Sequence, residues 1–531
     1  MMIRQNAVPR MLGFVIAFLA ILAVPTMAQL VDQTTAPNSA GAGIAKSFTD
    51  QVGAGRGDWF TPGSSSFIIT RDPFRAIRRG RQLFQRKFTR AQGHGALFGD
   101  GAGSIHTDLA IGAGLADSCA GCHGRPRGSA GAGGDVVTRP DSRDAPHLFG
   151  LGLKEMLADE ITADLRAIRA ATLVDAQQRG VAVTRALRSK GISYGVITAH
   201  PSGSVDTSQV EGVDTDLRIR PLFAHGGTIS IREFVVGAWN AEMGMQAVDP
   251  DLTRAATLRT RITTPSGMVL DGSLDALEAP RAKDAADDPD EDGIGNEIPE
   301  SMVDFMEFYL LNYFKAGTGE ETARTDAGRA IFKDIGCARC HVPNLTIDND
   351  RRVADVETVF DPERGIFNRL YSTAAARFTE SGDGSGLPTV KQPAGGAFVV
   401  RNIFTDFKRH DLGPAFHERE YDGTVRTKFL TTALWGVATT GPYGHDGRSV
   451  NLTEVILRHG GEAQAARNRF ARLDPGDARK LLDFLNYLVL FPPDDTASNL
   501  DEGDRHAPGF PQFKHGSIKL TVLFNDPADI E

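Results

Sequence analysis

Cys119-Ala120-Gly121-Cys122-His123 is the stretch whose reading decides the fold. Two cysteines separated by two residues and followed at once by histidine form the attachment sequence for a c-type haem. The thiols add across the porphyrin vinyl groups, and the adjacent imidazole is held against the iron as proximal ligand. Cys337-Ala338-Arg339-Cys340-His341 repeats the pattern, and the two motifs use all four cysteines of the chain. A zinc site from two CxxC pairs, or a thioredoxin-like dithiol, is the alternative use of this spacing. Neither needs a histidine after the second cysteine. Two such histidines, with no cysteine to spare, favour two covalently bound haem c groups.

The chain has 531 residues, 41% of them hydrophobic, and a formal net charge of −9. That length supports two or three domains with real cores, and the acidic balance excludes a general nucleic-acid footprint. Arg4 and Arg10 precede an apolar run from Met11 to Val24, and Thr26-Met27-Ala28 stands before Gln29. This is the pattern of a secretory signal over residues 1–28, and the run is shorter than the roughly 20 apolar residues of a membrane span. The segment holds two arginines and no acid, so its removal leaves a charge of −11. The expected product is soluble and periplasmic, without a membrane span. In that compartment bare CxxC pairs would oxidise to disulfides, whereas thioether attachment to haem belongs there.

Repetition organises the rest. Residues 29–70 read as an extended lead-in. Helical periodicity begins near Asp72, with Phe74, Ile77, Leu83 and Phe84 on one face. Gly80-Arg81-Gln82-Leu83-Phe84 has a near copy at Gly328-Arg329-Ala330-Ile331-Phe332, which leads straight into the second CxxCH. In the first half a glycine-rich insertion, Ala91–Gly114, intervenes. Asp144–Leu153 turns into a helix expected to reach about Ala171, and short strands are expected over 180–235. The amphipathic segments Ile298–Phe314 and Asp474–Leu490 close the two halves. His225–Val236 and Asp446–Leu457 also correspond, each a glycine turn before a helix with Glu in its first turn. The boundaries that follow are 71–316 and 317–495 for the two halves, with a tail at 496–531. Between the halves, Asp288, Asp290, Asp292 and Asn296 have the alternation of a calcium loop. Pro299 stands where an EF-hand needs a bidentate Glu, so a cation here competes with an ordinary acidic linker.

Together these motifs resemble the bacterial di-haem cytochrome c peroxidase and MauG superfamily, most closely its di-haem (thiol) oxidoreductase branch. The resemblance covers most of residues 70–490. It rests on both CxxCH motifs, His147–Leu153, Ala241–Gly244, Leu434–Gly436, Gly441–Arg448 and His459–Ala463. It implies a mainly α fold: two cytochrome-c-like haem domains related by internal repeat, with long loops and a few short strands. It also implies a peroxide-reactive first haem, an electron-storing second haem and a calcium ion between them. Carried over residue by residue, Glu242 matches the distal acid of the Glu-Met-Gly signature, and Arg232 falls near the distal glutamine. His459 falls where the peroxidases place a methionine opposite His341, giving bis-histidine ligation and a lower potential. The bridging tryptophan of the family has no counterpart at Leu222–Gly227, leaving Trp239 and Trp435 as substitutes. His147, His200 and His225 are candidates for a sixth ligand at the first haem. Arg448 stands where a guanidinium pairs with a haem propionate or stiffens a turn. His410-Asp411 and His445-Asp446 are candidate oriented pairs.

Three functions follow: a peroxidase-like enzyme acting on hydrogen peroxide or a related oxidant, an electron carrier, and a MauG-like modifier of a partner protein. The enzyme reading calls for a small donor, a cytochrome or cupredoxin. The acidic total charge hints at a basic donor surface, although patches rather than totals steer association. No thiol site is visible, since all four cysteines are committed to haem.

Overall fold

The computed structural model describes residues 47–95, 116–124, 141, 143–313, 315–363, 369–420 and 422–490, together with Leu523. The expected signal segment lies outside the described residues, as do most of the glycine-rich insertion and most of the tail. Among the described residues no helix is long and apolar enough to cross a membrane.

The helix Glu300–Leu311 is the centre of the larger core. Every residue from Ser301 to Leu311 is buried, so it is wrapped on all sides. Pro73–Gln85 crosses it. This helix starts where Asp72 accepts a bond from Arg75 N, with Pro73 in the first turn where no amide is needed. At the crossing, a Cβ on Gly80 would run into the Phe305 carbonyl oxygen and Tyr309 Cβ, so only glycine admits this approach.

The second copy of the pentapeptide does the same work. Ala323–Asp334 is capped by Thr322 and Thr325. It crosses Pro475–Tyr487 at Gly328, whose Cβ would run into the Lys480 carbonyl oxygen. Phe332, Phe404 and Phe484 pack edge to face around this crossing, with ring centroids 5.5–5.8 Å apart. The amphipathic segments expected at 298–314 and 474–490 thus appear as Glu300–Leu311 and Pro475–Tyr487.

Elsewhere the expectations need correction. The helix expected to end near Ala171 runs from Leu151 to Arg179, because no breaker occurs before Gly180 takes φ 66°. The strands Val183–Ser189 and Ile192–Ala199 form an antiparallel hairpin, with Val205–Asp206 as a third strand. Leu187, Tyr194 and Ile197 bury against Leu157, Ile161 and Leu165 of that helix. From Leu345 to Leu430 the chain makes five two-stranded antiparallel sheets. The described residues hold twelve α-helices and seven small sheets, a mixed rather than mainly α architecture. The cause is local: residues 345–430 carry short β-branched and aromatic runs between Gly, Pro and Asp turns, with no 3.6-residue stripe.

The crossings predict that Gly80→Ala and Gly328→Ala each lower stability by about 1–3 kcal/mol through overpacking. Chemical denaturation should show a lower midpoint at unchanged slope; a neutral substitution at both sites would contradict the close approach.

Candidate functional site

Ser118 caps the single helical turn Cys119–His123, accepting from Gly121 N at 3.1 Å. The turn sets Cys119, Cys122 and His123 on the wall of a cavity of about 540 Å³, and Cys337, Cys340 and His341 line the same cavity. Neither cysteine pair is bridged. Burial pushes the Cys119 and Cys337 thiols up to about 12, the reverse of the depressed thiol of a redox dithiol.

Three imidazoles on this wall share one arrangement. His123 Nδ1 donates to the Pro146 carbonyl at 2.7 Å, His341 Nδ1 to Phe404 O at 3.0 Å, and His459 Nδ1 to Val455 O at 2.7 Å. A ring that donates through Nδ1 keeps its lone pair on Nε2, the tautomer a metal takes. Burial lowers His341 to about 4, with His459 a lesser cause, and burial followed by Arg458 lowers His459 as well. Both stay neutral at ordinary pH, the ligating form. His459 lies at the end of Leu452–Arg458, on the cavity wall with His341.

Glu242 belongs to the helix Ile231–Met243, capped by Ser230 through Glu233 N at 3.1 Å. Phe234, Ala238 and Glu242, four residues apart, share a helix face and all line the cavity. The Phe234 ring stands 6.4 Å from His123. Half-buried Glu242 is thereby on the same cavity as the first motif.

The cavity wall also contains buried donors without acceptors. Trp239 is 1% exposed with no hydrogen-bond partner for Nε1, and Arg467 Nε is in the same position. Each orphaned donor costs about 1–3 kcal/mol, and a cofactor carrying carboxylates would satisfy them. Unbridged thiols, neutral imidazoles and orphaned donors on one cavity fit haem.

The remaining sequence candidates scatter. His147 lines the cavity, but its Nε2 donates to Trp435 O at 2.8 Å and its Nδ1 accepts from Phe149 N at 3.2 Å, so neither nitrogen is left for iron. His200 lies at the hairpin end, and His225 accepts from Arg143 at 3.0 Å; neither lines the cavity. Trp435 packs on Gly150 and lines the cavity, joining the two halves. Arg448 is half exposed, donates to Asp141 at 3.1 Å, and is not part of the cavity wall. His410 pairs with Asp406 and Glu462 rather than Asp411, which pairs with His417. His445 lines the cavity and stacks on Phe429 with centroids 3.8 Å apart, and Asp446 pairs with Arg458.

Arg232 is fully buried behind the site. It meets Asp249 at 2.5 Å, Asp304 at 2.9 Å and Glu307 at 2.8 Å, and Asp304 also takes Arg56 at 2.6 Å. Its role is to lock helices together, not to face the cavity.

Asp288, Asp290 and Asp292 converge, their ligand atoms within 4.8 Å of one another. Asn296 follows with a left-handed φ of 54°. Sequence reasoning missed Glu297, which is 2% exposed, with Oε1 unbonded. Burial, then Asp290, Asp292 and Asp288, push its carboxyl up to about 9. It also missed Lys154, on the cavity wall, which burial lowers to about 8. Lys154 directly follows the quoted His147–Leu153 motif, which was the available signal.

A family described as "Di-haem oxidoreductase, putative peroxidase" matches residues 344–488, about a quarter of the chain, including His459. The match points to a di-haem, peroxidase-like oxidoreductase. No curated protein matches. One similar solved structure is Kuenenia stuttgartiensis hydrazine synthase pressurized with 20 bar xenon, at 15% identity and TM-score 0.21. That alignment covers 35% of this chain, which spans only 55% of the other.

Removing Arg232 leaves buried Asp249 and Glu307 without their counter-charge, while Asp304 keeps Arg56. Arg232→Met is expected to cost about 3–5 kcal/mol, read as a lower denaturation midpoint. A shift below about 1 kcal/mol would mean the cage does not hold the helices.

Proposed function

We propose that the chain is a periplasmic di-haem c-type oxidoreductase of the cytochrome c peroxidase type, reducing hydrogen peroxide or a related oxidant. The observation that carries this reading is the single cavity bearing both CxxCH motifs, with Glu242 and His459 among its lining residues. Residues 71–316 and 317–495 are the two haem domains, each with its glycine crossing. Cys119, Cys122 and His123 hold one haem; Cys337, Cys340, His341 and His459 hold the other. A calcium ion at Asp288, Asp290 and Asp292, with Asn296 or Glu297, completes the cofactors.

When bound, the haems supply iron for the oxidant and a one-electron store. The chain's own residues do the rest. The carbonyls of Pro146, Phe404 and Val455 fix the three imidazole tautomers. Glu242 takes the proton from one peroxide oxygen and returns it to the departing oxygen. Phe234 and Trp239 exclude water around it, so the carboxylate exchanges its proton with the substrate rather than with solvent. Electrons enter on the His341 side from a small cytochrome or cupredoxin.

Glu242→Gln keeps the size and hydrogen-bonding of the side chain but removes the base. Peroxide turnover is expected to fall by about 10²–10⁴-fold with both haems retained; unchanged turnover would sink the reading. Replacing Cys337 and Cys340 by alanine should halve the covalent haem per chain in a haemochrome assay, and an unchanged count would remove thioether attachment there.

A further inference from the structure

The cavity meets solvent beside the second motif, because some residues there both line it and are exposed. Arg339, between the two cysteines, is one, and Arg469 is another. They are neighbours: a Cβ on Gly336 would lie 3.5 Å from Arg469 Nη1 and 3.7 Å from Arg339 Nε. Arg467 lines the same wall, and Arg472 is exposed one turn beyond Arg469.

Arg467 carries the donor that a cofactor carboxylate would satisfy; Arg339, Arg469 and Arg472 have no carboxylate within salt-bridge distance among the described residues, although most described buried and half-buried arginines do. Arg469 donates only to Ile335 O, at 3.4 Å. The carboxylates at hand do not neutralise them. Glu462 is held by His410 at 2.7 Å, exposed Asp334 forms no ion pair with the rim, and Asp474 caps the helix Pro475–Tyr487 through Gly476 N and Asp477 N. An uncompensated cluster of guanidinium groups beside a redox motif is a local positive field on an acidic protein. Its range matters: at physiological ionic strength charges are screened beyond roughly 8 Å. A docking partner therefore meets the rim and not the total charge of −9.

We propose that this arginine rim is the docking surface for an acidic electron-donor protein, one whose negative face surrounds its own redox centre. This rests on the function proposed above and reverses the basic donor that total charge hints at. Each docking event moves one electron: the donor is oxidised and the second haem reduced, with no bond made or broken. Two such events balance the two-electron reduction of one peroxide to water, the two protons coming from solvent.

The test is stopped-flow reduction of the oxidised holoprotein by three probes: a reduced, strongly acidic cupredoxin, a reduced, strongly basic cytochrome c, and a neutral quinol. The expected result is that the acidic cupredoxin reacts faster than the basic cytochrome, and that salt between about 10 and 200 mM slows it roughly tenfold. Arg472→Glu, off the cavity wall, should slow the cupredoxin by about threefold at low salt while the quinol rate stays fixed. A faster basic donor, or a cupredoxin rate indifferent to both salt and charge reversal, would overturn the proposal. Failure of the proposed function looks different: the quinol would then reduce the haems, but peroxide would not reoxidise them.

Discussion

Everything in the site depends on one kind of hydrogen bond, an imidazole Nδ1 donating to a backbone carbonyl. His123, His341 and His459 each make it, at 2.7–3.0 Å. The bond does two things at once: it selects the tautomer and it aims Nε2 into the cavity. Because the acceptors are main-chain atoms, the demand falls on the fold rather than on side chains. Pro146 precedes the long helix Leu151–Arg179, Phe404 lies in the sheet-rich stretch, and Val455 is one turn before His459. Three unrelated pieces of backbone must be placed to within tenths of an ångström.

That placement comes from two helix crossings and a charge cage. Gly80 and Gly328 bring backbone against backbone, which leaves little slack between the helices that flank each motif. The Arg232 cage fixes the reverse side of the helix whose other face carries Phe234 and Glu242. A buried arginine among carboxylates is a poor source of stability compared with apolar packing. Here it sets the rotation of the Ile231–Met243 helix, and rotation decides which residues reach the cavity.

Much of this was legible in the chain, for identifiable reasons. The CxxCH motifs are local: three side chains within five residues specify the proposed attachment site wherever the segment folds. The two Gly-Arg pentapeptides were visible as a repeat, and the crossings explain why glycine recurs there. Counting along a motif led to His459, and the structure puts it on the cavity wall at the end of helix Leu452–Arg458. What failed was long-range. Arg232 and Glu242 lie on one helix ten residues apart, and only packing reveals that one faces a cage and the other the cavity. Arg448 and His147 have plausible neighbours in sequence, but Asp141 and Trp435 claim them in space. The sheets of 345–430 lacked any periodic face, so no pattern announced them.

The account's central claim is that the two iron sites differ: His341 is matched by His459, whereas His123 is accompanied by Glu242, with His147 and His225 held by other partners and His445 stacked on Phe429. An EPR spectrum of the as-isolated and half-reduced holoprotein tests it most directly. The account predicts one low-spin bis-imidazole signal and one distinct signal from a site lacking a second histidine. Two bis-imidazole signals, in both redox states, would contradict it.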